Sequence, residues 1–96
     1  MDTLEALQSR EENNPKVILR SRMEGAVIRD LAAFSHATTY VDLGCWVGLL
    51  AQQVLQGSGF RRAVMVDAVA SCLKKTAAKL APGANVEYHE VAIVAV

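Results

Sequence analysis

Apolar residues recur at helical spacing once the chain passes Pro15. Leu19, Met23, Ala26, Val27, Leu31 and Phe34 fall on one stripe, the pattern of an amphipathic helix. Asn14 followed by Pro15 marks its start, because an Asn side chain caps the first turn and a proline loses nothing where the N–H would be unbonded. Lys16, Arg20, Arg22 and Arg29 lie mostly off the stripe. The pattern predicts a helix from Pro15 to Phe34. Gly25 within it weakens the helix by about 1 kcal/mol relative to Ala and permits close packing. Upstream, Met1 to Ser9 reads as a short helix, with Asp2 and Glu5 at capping-box spacing, and Arg10 to Asn14 as a polar break.

Beyond a turn at Ser35 to Thr38 the periodicity changes. Thr39 to Leu43 is β-prone and short, and Gly44-Cys45-Trp46-Val47-Gly48 is a loop bracketed by glycines. Val47, Leu50, Ala51, Val54 and Leu55 restore helical spacing, with the helix beginning near Trp46 and Gly57 as its C-cap. Ala63 to Val66 is a second apolar strand, ending at Asp67. Val69, Leu73, Ala77 and Leu80 form the apolar face of the next helix, beginning near Ser71, with Lys74, Lys75 and Lys79 on a solvated face. Ala81-Pro82-Gly83 ends it. Val86 and Tyr88 alternate with polar residues and Val91 to Val96 is continuously apolar, giving a third strand. Strands alternating with helices predict an α/β fold with a three-stranded parallel sheet, right-handed crossovers and flanking helices.

Composition narrows the class. Of 96 residues, 52% are hydrophobic, and 10 Lys+Arg balance 10 Asp+Glu. A core is affordable, disorder of the body is not expected, and the basic footprint of a nucleic-acid binder is missing. No apolar run approaches the roughly 20 residues of a membrane span. The N-terminus lacks the basic start and apolar run of a signal peptide, so a cytoplasmic location is expected. Cys45 and Cys72 are too few for a disulfide framework and read as free thiols. His36 and His89 lack metal-ligand spacing, and no metal is expected.

Two features carry chemistry. Gly44 lets the chain leave the first strand sharply, and Gly48 lets the next helix pack close to the strand. The helix N-terminus then points N–H groups toward the sheet's C-terminal edge, where an anionic group can sit. Asp67 ends the next strand, placed to accept hydrogen bonds from ribose hydroxyls. The plainer alternative makes Gly44 and Gly48 turn residues and Asp67 a helix cap. The two features in order and at this spacing favour a nucleoside cofactor. Trp46 either stacks on a ligand or packs. Cys45 sits beside a helix start, which can lower a thiol pKa, but no His or second Cys lies near it in sequence to make it a nucleophile.

The loop Asp42-Leu43-Gly44-Cys45-Trp46-Val47-Gly48 resembles the Asp-x-Gly-x-Gly-x-Gly loop of class I S-adenosylmethionine (SAM)-dependent methyltransferases, with Trp46 at the middle glycine. The wider run from Tyr40 to Gly48, with Asn85 to Ala92, is most similar to the FkbM family. The resemblance covers roughly Thr39 to Ala92. It implies that Asp42 and Gly44 line the methionine end of SAM, with Cys45 and Trp46, between the glycines, also counted among the cofactor-binding residues. Gly48 would be the close-packing glycine, Asp67 would hold the ribose, and Ala68 and Val69 would flank the adenine. Ala95 stands where the family often places an acid or polar residue.

Residues 1–14 read as a polar N-terminal segment. The same resemblance implies that 15–96 is the N-terminal half of a Rossmann-like domain with strands in the order 3-2-1, truncated before its fourth strand. Methyl transfer to a small-molecule or sugar hydroxyl is the implied activity. The catalytic, acceptor-side residues would lie outside this chain. Strand Thr39–Leu43 would then be an open apolar edge, inviting self-association or a partner chain. A non-catalytic module binding a nucleoside cofactor or a protein, and a purely structural mini-domain, remain open.

Overall fold

The computed structural model describes residues 3–81 and 85–92. In chain order the elements are α1 (Leu4–Glu12), α2 (Pro15–Ser35), β1 (Thr39–Leu43), α3 (Leu49–Leu55), β2 (Arg62–Asp67), α4 (Ala70–Lys79) and β3 (Val86–Glu90). The fold is α/β. Among the described residues the sheet has three strands, all parallel, with β2 in the centre and β1 and β3 at the edges. Tyr40, Ala63 and Val86 share one register row, and Asp42, Met65 and Tyr88 another. These rows face the core, where Cys45, Ala51, Ala63 and Met65 are buried and Tyr40, Leu55, Leu73, Leu80 and Val86 pack around them.

The element boundaries follow the sequence closely, with instructive exceptions. Thr3, not Asp2, caps α1: its hydroxyl accepts from the Ala6 N–H at 3.1 Å. The helix runs through the expected polar break to Glu12 because polar contacts to α4 hold it. Gln8, 1% exposed, donates to Ser71 Oγ and Cys72 Sγ, and Glu12 receives Lys75 and Lys79. Lys75 and Lys79 are therefore half-buried partners of α1, not part of a solvated face.

Helix α2 begins with the expected Asn14 cap, whose Oδ1 accepts from the Lys16 N–H at 3.0 Å. Its packed face is not the apolar stripe. Ser21 and Gly25 are buried, whereas Leu19, Met23, Val27, Leu31 and Phe34 are all more than half exposed. The small residues decide the orientation. A Cβ on Gly25 would lie 2.6 Å from Gln53 Cβ, so α2 and α3 meet backbone to backbone along that line. Arg29 extends the contact by donating Nη1 to the Gln53 and Gln56 carbonyls at the end of α3.

Helix α3 starts at Leu49 instead of near Trp46, because Trp46 (φ 52°) and Gly48 (φ 85°) are both left-handed. Gln56 is the C-cap and Gly57 (φ 64°) follows it. The buried face of α4 is turned toward Cys72 and Thr76, leaving Ala77 exposed, because Thr76 packs on the Gly44–Gly48 loop. Strand β3 ends at Glu90, short of the expected Val96. The apolar run from 93 to 96, Ala95 within it, lies outside the described residues, as do Asp2, Pro82 and Gly83.

Candidate functional site

Three chain segments meet at the C-terminal ends of β1 and β2. The loop after β1 is bound to β2 by its backbone: the N–H groups of Gly44 and Cys45 both donate to the Val66 carbonyl, at 2.7 and 3.1 Å. Gly44 then takes φ 81° with nothing within 4 Å of where a Cβ would sit, so its side is open. Gly48 is the opposite case. A Cβ there would fall 2.7 Å from Thr76 Cα. The close approach is to α4, not to the strand, because Thr76 fills the space beside the loop. Its hydroxyl donates to the Cys72 carbonyl at 2.9 Å and reaches the Trp46 carbonyl at 3.2 Å and Cys45 Sγ at 3.4 Å.

Asp67 is 8% exposed. Its Oδ2 accepts from the Trp46 N–H at 3.0 Å and its Oδ1 from the Val69 N–H at 2.9 Å. One carboxylate thus joins the loop after β1 to the loop after β2 and holds Trp46 left-handed, where a non-glycine residue is strained. Asp67 is a brace as well as a candidate ribose acceptor. Each oxygen keeps acceptor capacity beyond its one backbone partner.

Asp42 is half-buried on the core side of β1 and accepts the Tyr40 hydroxyl at 2.9 Å. Burial raises its carboxyl above the usual range. The Tyr40 hydrogen bond opposes this and the nearby charge of Asp67 adds to it. Burial likewise pushes the Tyr40 phenol up, reinforced by Asp42. Cys45 is 6% exposed, and burial raises its thiol despite the Thr76 hydrogen bond. The helix start beside it therefore does not yield a thiolate. Trp46 is half-buried, Ala68 exposed and Val69 half-buried.

The fold gathers Asp42, Gly44, Cys45, Trp46, Gly48, Asp67, Ala68 and Val69 at one rim. Two residues that hold this rim escaped the sequence reading. Tyr40 carried a signal, since two residues apart in a strand puts it on the face of Asp42. Thr76 carried none, because a mid-helix Thr is unremarkable until Gly48 is seen against it. The rim is open: Leu43 is 67% exposed and Gly44 exposed. The deeper clefts lie elsewhere. One cavity of about 320 Å³ separates the ends of α3 and α4, and another of about 350 Å³ lies between α2 and residues 58–61 at the opposite end of the sheet. The rim carries the carboxylates that these two clefts lack. Among the described residues no cluster of His, Cys, Asp and Glu can hold a metal ion, and no helix is long and apolar enough to cross a membrane.

Compared with protein-family models, with curated proteins and with solved structures, the chain matches none.

Proposed function

We propose that Thr39–Val69 forms the cofactor side of a class I, FkbM-like methyltransferase and binds SAM at the rim between β1 and β2. The observation that carries this reading is the placement of a left-handed glycine loop and two carboxylates, Asp42 and Asp67, at adjacent strand ends of a parallel sheet. Open α/β sheets bind ligands outside the carboxyl ends of their strands. Asp42 and the open side of Gly44 face the methionine ammonium in this scheme. The unused acceptor capacity of Asp67 meets a ribose hydroxyl, and Ala68 and Val69 flank the adenine. The chemistry assigned to the family is methyl transfer to a hydroxyl of a small molecule or sugar. No described residue is assigned to the acceptor.

Titration calorimetry with SAM tests it, with NAD and adenosine as comparisons. SAM is expected to bind, and Ala68→Trp, a change at an exposed position, is expected to lower its affinity by about tenfold or more without loss of stability. Equal affinity in that variant, or preference for NAD, overturns the assignment.

A second reading rests on Asp67 itself. Its burial and its two backbone partners are what a structural brace requires, and a non-catalytic module needs nothing more from this rim. No heat with any nucleoside ligand would favour that reading.

A further inference from the structure

We propose that the cleft between the C-terminal end of α2 and residues 58–61 binds a phosphate group, free or carried by a small molecule, with Arg29 and Arg61 as its cationic contacts. The cleft measures about 350 Å³ and lies beside the starts of β1 and β2. That volume admits a phosphate with a short organic body and falls at the lower end of the range for small-molecule sites.

Both walls are built from local sequence. Arg29, Ala32, Ala33 and His36 recur at i, i+3, i+4 and i+7, so α2 presents them on one face. The short alanine side chains leave space between the two longer ones. His36 closes the helix in the left-handed region at φ 57°, and the chain turns into β1. On the other wall, the N–H groups of Arg61 and Arg62 both donate to the Thr38 carbonyl, at 2.8 and 3.2 Å, and tie the start of β2 to that of β1. The Ser58 hydroxyl donates to the Leu55 carbonyl at 3.2 Å and accepts from the Phe60 N–H at 3.4 Å, which folds the loop between them.

The charge of the cleft is of one sign. Arg29, His36 and Arg61 line it and no carboxylate does. Other cations of the chain are already paired: Arg62 with Glu87 at 2.7 Å, and Lys75 and Lys79 with Glu12. Arg61 has no carboxylate partner among the described residues. Arg29 donates Nη1 to the Gln53 and Gln56 carbonyls, which leaves the N–H groups of Nε and Nη2. Its guanidinium is therefore anchored before any ligand arrives, and little side-chain freedom is lost on binding.

Helix C-termini disfavour anions through their unbonded carbonyls. Here the carbonyls of Ala32 and Ala33 receive the N–H groups of Ala37 and His36, and those of Gln53 and Gln56 receive Arg29. Further donors remain. The Gly59 N–H and the Thr38 hydroxyl, both at the cleft, have no hydrogen-bond partner among the described residues. Guanidinium groups together with such neutral donors suit the oxygens of a phosphate. Phe60, whose ring lies 5.7 Å from that of Tyr40, lends apolar surface to an organic body.

Titration calorimetry of the full chain with glycerol phosphate and with inorganic phosphate tests this. Saturable binding at one site per chain is expected. Arg61→Gln, at an exposed position with no carboxylate to lose, is expected to weaken it by about tenfold or more with unchanged circular dichroism. Arg20→Gln, on α2 but outside the cleft, is expected to leave it unchanged. Tighter binding of the ester assigns the site to a phosphorylated small molecule, and equal binding assigns it to free phosphate. No saturable heat with either at millimolar concentration would overturn the proposal, as would equal affinities of Arg61→Gln and the unaltered chain, or an equal loss in Arg20→Gln.

Discussion

The backbone N–H of Trp46 donates to Asp67 Oδ2 at 3.0 Å, across 21 residues of sequence. That bond fixes the β1–α3 loop to the end of β2 and sustains a tryptophan at positive φ. Removing it removes more than a surface contact. Asp67→Ala loses this bond and the one from Val69, and is expected to lower stability by about 3 kcal/mol or more. Asp67→Asn keeps one acceptor oxygen and should recover about half. Urea denaturation at neutral pH measures both, and equal stability of all three proteins would contradict the brace.

The two loop glycines should respond differently to alanine. At Gly44 the added methyl enters open space, so Gly44→Ala meets only the left-handed backbone penalty of about 1–2 kcal/mol. At Gly48 the same penalty is joined by a clash with the backbone of Thr76. Gly48→Ala is expected to cost about 1–3 kcal/mol more than Gly44→Ala. Paired thermal denaturation of the two variants gives the difference directly.

The pH response of α1 follows from Glu12. Burial alone would raise its carboxyl, but hydrogen bonds and charge from Lys75 and Lys79 prevail and hold it below its ordinary value of 4.5. A carboxylate lowered on folding stabilises above its unfolded pKa, and the gain disappears as pH falls through the folded value. Acidification from pH 5 downward is therefore expected to release α1. Glu12→Gln should imitate that state at neutral pH, with a loss of about 1 kcal/mol. Amide exchange confined to Leu4–Glu12 reads it.

Asp42 has the opposite sign. Burial raises its carboxyl, so folding favours the protonated form, and the associated stability is lost as pH rises through the folded pKa. Asp42→Asn keeps an oxygen for the Tyr40 hydroxyl and removes the buried charge. It is expected to raise the urea midpoint at neutral pH and to leave it unchanged in acid.

Most of the fold was legible because helical and strand periods alternate cleanly from Pro15 to Tyr88. Thr39–Leu43 was bounded to the residue, and the parallel pairing followed from the alternation, whereas the strand order came from the family resemblance. The side of α2 that packs was not legible. Hydrophobic spacing identifies an apolar face, but Ser21 and Gly25 packed instead because their small size lets two backbones approach. The Thr76 contact and the α1 contacts were hidden for a related reason: they join residues remote in sequence, with no local pattern. The positions that come together at the rim were readable as strand ends and loop glycines, because these are punctuated in the sequence. The burial of Asp67, and the two N–H groups it accepts, depend on how the loops fold back.

Gln8 and Glu12 reach partners 63 to 67 residues further along the chain. During synthesis α1 is made long before α4 exists to receive it, so it docks late. The unit from α2 through β2 must assemble without it. A chaperone acting on this nascent chain would meet α1 undocked, and its docking would report that α4 has emerged and closed over the sheet.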